Sequence, residues 1–181
     1  MSLMTGTVSN IEFGPCQVTY NAVDLGYFKG GVVFKYDVGW LDIEADQSSM
    51  IIDSKVISER AVLTVPMLET DLATLNNILI TGTYTLDGAG SKKKIEVGGK
   101  QPASSTFYQV VVTPISDGSG TLDTDANKKI TIYKAVPKPQ LGKKYDRAGE
   151  KVVPVEFHAV KDTTKDAGKQ LFLLGDSTAT A

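Results

Sequence analysis

Apolar and polar residues alternate with a period of two over much of this chain, as expected for β-strands that bury one face. The clearest run starts at Val32, where every second residue as far as Val38 is apolar. Lys35 and Asp37 fall on the opposite face. Gly39 follows directly and permits a bulge or a bend. The sequence therefore predicts a half-buried strand that is interrupted at Gly39.

Beyond Gly39 the polarity of the two faces changes. Leu41, Ile43 and Ala45 line one side of the predicted strand. The opposite side carries the three carboxylates Asp42, Glu44 and Asp46. Like charges two residues apart on one strand repel one another and add nothing to the stability of a lone domain. The acidic face is therefore either simply solvated or placed to meet a specific partner.

A polar segment over residues 46–56 is interrupted by Met50, Ile51 and Ile52, three consecutive apolar residues. One interpretation is a short strand that packs on the core. The other is an extended loop whose apolar tip inserts into a neighbouring molecule, because exposed apolar clusters mark interaction sites. The pattern alone leaves both open.

One helix is predicted at about residues 69–80, after a strand over residues 57–66 that Pro66 ends. Glu69 and Asp71 fall in its first turn and complement the helix dipole, and Gly82 lies just past its end. An apolar stripe at spacings of four, three and four consists of Leu68, Leu72, Leu75 and Leu79. This stripe predicts a helix that covers one side of a sheet.

The second half of the chain is rich in β-segments separated by glycine and proline turns. Strands are predicted at residues 83–86, 92–97, 107–115, 129–136, 152–160 and 169–174. Strands on both sides of a single helix predict a mainly β fold, an antiparallel β-sandwich or barrel with one flanking α-helix. We expect one domain over residues 1–181, with an N-terminal arm at 1–13 and a loose C-terminal tail at 175–181.

Composition excludes several classes of protein. Hydrophobic residues make up 41% and charged residues 22%, values typical of a globular domain. No apolar run approaches the roughly 18 residues of a membrane span. Cys16 is the only cysteine, which excludes a disulfide within the chain. Residues 1–90 hold 4 basic and 11 acidic side chains, a net −7, and residues 91–181 hold 15 basic and 10 acidic, a net +5. The halves can pair within one domain or between subunits.

Few residues suit catalysis or cofactor binding. His158 shares a strand face with Glu156, as a surface histidine does, and Cys16 reads as a packing group, so we expect no catalytic residues. The acidic run that starts at Asp123 resembles the opening of a calcium loop. Lys128 and Lys134 occupy the positions that need glycine and glutamate. We expect no metal and no cofactor.

The only dense basic run is Lys92, Lys93 and Lys94. Strand alternation places Lys92 and Lys94 on one face, and no aromatic residue sits beside them to stack on bases, so a nucleic-acid groove is disfavoured. A lysine-protected strand edge is the simpler interpretation. The alternative is an inter-subunit contact of Lys92 and Lys94 with acidic groups of a neighbour.

Four segments resemble the tail tube proteins (major tail proteins) of long-tailed bacteriophages. They are GPCQVTYNAVDLGYFKGGV from Gly14, the pair Asp46-Gln47, the segment LETDLATL, and the closing VPVEFHAVKDTTKDAGKQLFLLGD. The resemblance implies hexameric rings that stack into a hollow conduit for DNA ejection, with strands of all subunits joined in one barrel. The implied partners are copies of this chain and other tail proteins, in a virion tail assembled in the host cytoplasm, with no membrane involved.

In that arrangement Met50, Ile51 and Ile52 form a ring-stacking loop. Asp42, Glu44 and Asp46 then face the lumen, where they repel passing DNA without specific binding. Two other classes stay open. One is another ring-forming component of the same ancestry, such as a tail completion protein or a type VI secretion tube protein. The other is a virion β-sandwich that binds or decorates, for which Trp40 is the only tryptophan available as a platform.

Overall fold

A computed structural model describes residues 14–47, 50–68, 71–103, 106–116, 120–142 and 150–179. The predicted arm at 1–13 lies outside this part of the chain, as do the last two residues of the predicted tail. The elements are β1 (Cys16–Tyr20), β2 (Val23–Asp24), β3 (Val33–Ile43), β4 (Asp53–Met67), α1 (Leu72–Ile78), β5 (Gly82–Leu86), β6 (Lys93–Val97), β7 (Tyr108–Pro114), β8 (Ile130–Pro139), β9 (Val153–Ala159) and β10 (Phe172–Leu174).

The main sheet is antiparallel throughout. Its strands follow the order β2-β1-β7-β8-β9-β4-β3, and β10 pairs with the first part of β8. A separate hairpin is formed by β5 and β6. The predicted fold class is confirmed, since the chain is mainly β with antiparallel sheets and one helix.

The chain between β2 and β3 joins the two ends of the main sheet. The backbone N–H of Leu25 donates to the Val18 carbonyl at 3.0 Å, and the N–H of Lys29 donates to the Pro66 carbonyl at 3.0 Å. Phe28 also bridges to Met67. One short segment thus contacts both β1 and β4, which curls the sheet into a barrel that is closed at this point.

The core fills the concave face of this sheet. It contains Val18, Tyr20, Leu63, Val65, Val110, Ile132, Val155 and Phe157, with Leu75 and Ile78 of the helix. The rings of Tyr20 and Phe157 pack with centroids 5.2 Å apart, and burial raises the pKa of Tyr20 to about 12. Alternation along β9 holds as predicted, because Val155 and Phe157 are buried while Glu156 and His158 are only partly covered.

The helix is shorter than predicted, Leu72–Ile78 instead of about 69–80. Asp71 is its N-cap, and the carboxylate accepts from the N–H of Ala73 at 3.0 Å. Leu79 leaves the helical conformation with ψ of 62°, and the N–H of Gly82 donates to its carbonyl at 2.7 Å. The predicted first-turn residue Glu69 lies outside the described residues.

Strand β4 begins at Asp53, four residues before the predicted start. It continues through Pro66 to Met67, because Pro66 faces Pro154 across the ladder and neither partner has an N–H to donate. Residues 53–60 are exposed, whereas Ala61, Leu63 and Val65 are buried. The first half of β4 therefore pairs with β3 away from the core. We call residues 37–60, which include this half of the β3–β4 hairpin and its loop, the ribbon.

Candidate assembly surface

The ribbon leaves long stretches of strand edge unpaired. The first residue of β4 that pairs with β9 is Val62, so β9 covers only the end of β4 that lies over the barrel. Within the described residues, no strand pairs with the side of β3 that faces away from β4. Between Asp53 and Ala61, none pairs with the side of β4 that faces away from β3. Unpaired N–H and C=O groups along a strand are a template for pairing with another chain. The ribbon therefore has two edges available for pairing, the outer edge of β3 on one side and the edge of β4 on the other.

A β-bulge bends the ribbon at the position that the sequence predicts. Gly39 pairs with Ser58 and Trp40 pairs with Val56, so the register shifts between Gly39 and Trp40. The extra residue is Ile57 on β4, and β3 runs through Gly39 without interruption. A bulge increases the local twist and re-aims the side chains beyond it.

Apolar side chains are exposed along the ribbon and at its tip. The side chain of Trp40 is 59% exposed and that of Ile57 is 64% exposed. The other exposed apolar side chains of the ribbon are those of Leu41, Val56, Met50, Ile51 and Ile52. Full burial of one such side chain stabilises a complex by about 1.5–3 kcal/mol. Because these side chains are already partly covered, burying all of them in an interface would contribute on the order of 5–10 kcal/mol to its free energy. Association costs about 4–15 kcal/mol. Burial of these side chains is thus enough to drive much of an association.

Met50, Ile51 and Ile52 lie in the loop at the tip of the ribbon, exposed by 74%, 53% and 60%. The N–H of Ile52 donates to the carbonyl of Ile43 at 2.9 Å, which closes the loop just before β4. Of the two interpretations left open by the sequence, the short strand packed on the core is wrong. The tip lies beyond the end of the sheet.

The three acidic residues are all exposed, but they do not share one strand face. Strand β3 ends at Ile43, so only Asp42 lies on the strand, where it accepts from the Ser54 hydroxyl at 2.5 Å. Glu44 follows the strand and Asp46 lies in a turn. The ribbon as a whole has six carboxylates and two basic side chains, so it carries a net negative charge.

A groove of about 530 Å³ runs beside the unpaired edge of β4. The groove is lined by Ile57, Ser58 and Glu59 of β4. Its other lining residues include Lys161, Gly168, Gln170, Leu171 and Phe172. Tyr36 lies at its base, where the ring packs on Phe172 at 5.0 Å and the hydroxyl donates to Glu59 at 3.1 Å. Partial burial, and then the carboxylate of Glu59, raises the pKa of Tyr36. The groove gives an added strand room to reach β4.

The basic run lies on the small β5–β6 hairpin next to the helix. Lys94 pairs with Glu96 at 3.0 Å, and Lys93 lies 3.9 Å from Asp71. The backbone N–H of Lys92 donates to Asp87 at 2.9 Å. These contacts are within the hairpin and with the N-terminus of α1, so the structure does not bring Lys92 and Lys94 to the acidic ribbon of the same chain.

His158 has a hydrogen-bond partner, and Cys16 is partly buried. His158 Nε2 lies 3.0 Å from Glu156 Oε2 on the partly covered face of β9. Burial raises the pKa of Cys16, which lowers the thiolate fraction at neutral pH.

The ammonium of Lys128 hydrogen-bonds Asp123 at 2.8 Å and lowers the pKa of that carboxyl. Among the described residues, no group of three histidine, cysteine or acidic side chains could hold a metal, and no helix is long and apolar enough to cross a membrane.

Most of the assembly surface comes from exposed side chains that the sequence pattern does not predict, those of Trp40, Leu41, Val56 and Ile57. The sequence does carry one signal for an exposed strand. Three consecutive polar residues, Asp53, Ser54 and Lys55, precede the predicted strand, so both faces of the chain are polar there. That composition is compatible with a strand that has no buried face, as one strand of a protruding hairpin does.

Comparison with known proteins adds little to this geometry. No protein-family model and no curated protein matches the chain. One matching solved structure is described as the cryo-EM structure of the anti-feeding prophage baseplate, 6-fold symmetrised, with 14% identity over 79% of this chain and 84% of that chain and a TM-score of 0.36. A TM-score of this size is too low to establish a shared fold.

Proposed function

We propose that this chain is the structural subunit of a phage tail tube, which self-assembles into stacked hexameric rings that form a conduit for DNA during ejection. The observation that carries the proposal is the ribbon: a hairpin that leaves the barrel with two unpaired edges and exposed apolar side chains on the way to its tip. The sequence resemblance supplies the hexamer, the virion location and the other tail proteins as partners.

Unpaired edges explain how one subunit joins the next. The outer edge of β3 and the edge of β4 between Asp53 and Ala61 lie on opposite sides of the same ribbon. Pairing β3 of one copy with β4 of the next is a heterologous contact, and such contacts generate a ring when the rotation between copies closes. Ribbons joined in this way form one continuous barrel without edges. The groove beside Ile57 and Glu59 leaves room for the incoming strand.

The charge of the ribbon suits a conduit for DNA. If ribbons line the lumen, the carboxylates of Asp42, Glu44 and Asp46 present a negative wall to the phosphates. Proteins that bind DNA neutralise its phosphates with lysine and arginine side chains. A wall with the same negative charge as DNA repels the phosphates instead. The duplex then moves through the tube without binding to it, which is what ejection requires.

Electron microscopy of the concentrated protein tests the proposal. We expect hollow rods of indefinite length, built from rings of one subunit type. Single rings that never stack would instead identify a ring component such as a tail completion protein. A preparation that stays monomeric at high concentration, even when an initiating tail complex is added, would contradict the proposal.

The exposure of Trp40 is the one observation that favours the second candidate, a virion β-sandwich that binds carbohydrate or decorates the particle. In that case the indole is a binding platform, and its fluorescence should shift when saccharides are titrated into the monomer. In a tube subunit the indole is covered by the next copy, so its fluorescence should shift on assembly and remain unchanged with sugars.

A further inference from the structure

The groove beside the unpaired edge of β4 lies where β9 leaves the sheet. Strand β7 occupies one side of β8, so β9 and β10 pair with its other side, one after the other. Residues 160–171 connect these two strands, and Lys161 and Leu171, near the two ends of that connection, line the groove. The groove is therefore lined both by the unpaired edge of β4 and by this connection.

The lining of the groove combines aromatic rings, an aliphatic side chain and two charged groups. The rings of Tyr36 and Phe172 pack with centroids 5.0 Å apart, beside Leu171. The carboxylate of Glu59 accepts from the Tyr36 hydroxyl at 3.1 Å, and a carboxylate has lone pairs for further donors. The ammonium of Lys161 can lie over an aromatic ring. This lining fits a large aromatic side chain that carries one N–H donor.

Trp40 is the exposed side chain of the ribbon that has these properties. It is the only tryptophan of the chain, and 59% of it is exposed. The extra residue of the bulge belongs to β4, so alternation along β3 continues without interruption through residue 40. Trp40 therefore lies on the face of β3 that carries Phe34 and Tyr36, whose rings both pack on Phe172. Among the described residues, those that line the groove do not include Trp40 of the same chain.

We propose that Trp40 of a second copy of this chain fills the groove and anchors the contact between neighbouring ribbons. The inference rests on the proposed function, in which the outer edge of β3 in one copy pairs with the unpaired edge of β4 in the next. That edge of β4 runs from Asp53 to Ala61 and is centred on Ile57, which lines the groove. The part of β3 within the ribbon, residues 37–43, is centred on Trp40. Pairing that aligns the two centres brings the indole to the groove.

The face of the incoming strand also matches. A rotation about the ring axis leaves the two faces of every ribbon on the same sides. Trp40 of the incoming copy therefore points to the side on which Tyr36 and Phe172 of the receiving copy lie. There the indole can pack on the two rings, and its N–H can donate to Glu59. Leu41, the next residue, points to the opposite face and cannot enter the groove in the same pairing.

Substitutions at these two neighbouring positions test the anchor. An aromatic side chain in a pocket at the centre of a contact is a typical interface hot spot, so Trp40→Ala should raise the concentration needed for assembly by about thirtyfold or more. Trp40→Phe keeps a ring and should raise it by less. The matched control, Leu41→Ala, should raise it by less than about threefold. Both side chains are exposed in the single chain, so the urea midpoint of the monomer should stay unchanged. Equal losses from Trp40→Ala and Leu41→Ala would overturn the anchor.

The fluorescence of the single tryptophan tests where the indole lies. One protein is Cys16→Ser, which retains Trp40. The other is Cys16→Ser/Trp40→Phe/Lys161→Cys, with a nitroxide attached to the thiol at residue 161 in the groove. Nitroxides quench indole emission at short range, so co-assembly with the labelled chain in large excess should reduce the emission severalfold. The same label attached through Leu86→Cys, an exposed position on β5, is the control and should leave the emission nearly unchanged.

The outcomes separate the anchor from the proposed function. Rods whose emission is not quenched by the groove label would overturn the anchor and leave the tube intact. A mixture that gives neither rods nor quenching would overturn both. A third protein, Cys16→Ser/Lys161→Cys with the label, keeps Trp40 in the labelled chain. Strong quenching in its dilute monomer would place the indole in the groove of its own chain and overturn the contact between copies.

Discussion

Gly39 and Ser58 face each other across the bulge of the ribbon, and a Cβ on Gly39 would lie 2.4 Å from the Ser58 hydroxyl oxygen. The next nearest atoms, on Ile57 and Ser58, would lie at 3.6 Å, an ordinary contact distance. A methyl group at residue 39 would therefore conflict with one flexible side-chain oxygen. Gly39 and Ser58 are the pair that directly precedes the register shift of the ribbon.

Gly39→Ala should loosen the ribbon because the new methyl group displaces the Ser58 hydroxyl. Overpacking costs about 1–3 kcal/mol in a core, and we expect about 1 kcal/mol in this exposed hairpin. Because the ribbon can open locally, hydrogen exchange at the β3 amides beyond Gly39 is the suitable measurement. The double variant Gly39→Ala/Ser58→Ala should restore wild-type exchange. Fast exchange that persists in the double variant would contradict this account of the bulge.

Replacement of Met50, Ile51 and Ile52 with serine should abolish stacking without unfolding the subunit. The three side chains are exposed in the single chain, so the free energy of unfolding should change by less than about 0.5 kcal/mol. Urea denaturation and electron microscopy measure the two effects. The matched control is Leu86→Ser/Val97→Ser, which removes exposed apolar side chains from the β5–β6 hairpin and should leave rods intact. Normal rods from the triple variant would remove the stacking role of the tip.

Neutralising the ribbon carboxylates should make assembled tubes bind DNA. In Asp42→Asn/Glu44→Gln/Asp46→Asn, residue 42 keeps an oxygen that accepts from Ser54, so the hairpin is preserved. We expect duplex DNA to co-sediment with the tubes about tenfold more strongly at low salt, and the difference to shrink as salt rises. Three changes elsewhere give the same change of net charge: Glu96→Gln, Glu156→Gln and Asp166→Asn. Equal DNA binding by both triple variants would place the ribbon carboxylates outside the lumen.

Stability should fall in acid because four aspartates anchor turns in their charged form. Hydrogen bonds to these carboxylates hold their pKa values below the ordinary value of 3.8. The four aspartates are Asp87, Asp123, Asp162 and Asp176. A depressed folded-state pKa means that the unfolded chain binds more protons at low pH, so the stabilisation is present above 3.8 and is lost as pH falls through the folded values.

The urea midpoint measures this acid dependence. It should drop below about pH 4, and Asp87→Asn, which cannot titrate, should make the drop smaller. For Asp87 the largest cause of the low pKa is the backbone N–H of Lys92. A midpoint that is constant down to about pH 2 would contradict the role of these turns.

Local signals in the sequence account for the barrel strands and the helix. Alternation predicts β9, which has a buried face, and the first part of β3, where Phe34 and Val38 are half-buried, and the leucine pattern predicts α1. The ends of the helix were overestimated because Asp71 caps it and Leu79 leaves it, and neither event is visible in apolar periodicity.

Non-local structure could not be predicted in the same way. The pairing of β1 with β7 and of β4 with β9 joins residues far apart in sequence, and nothing local specifies the partner. The sequence pattern places residues 53–56 of β4 in the preceding polar segment, because they have no buried face to create an alternation. For the same reason the exposed side chains of Trp40 and Ile57 were not identified, although the apolar tip was, because its three residues interrupt a polar segment.

Cryo-electron microscopy of the assembled protein, at a resolution that traces strands, tests the central claim most directly. The account predicts that the outer edge of β3 in one copy pairs with the edge of β4 between Asp53 and Ala61 in the next, so that the ribbons form one barrel around the lumen. Ribbons that fold back onto their own subunit, or that point outward with both edges still unpaired, would contradict it.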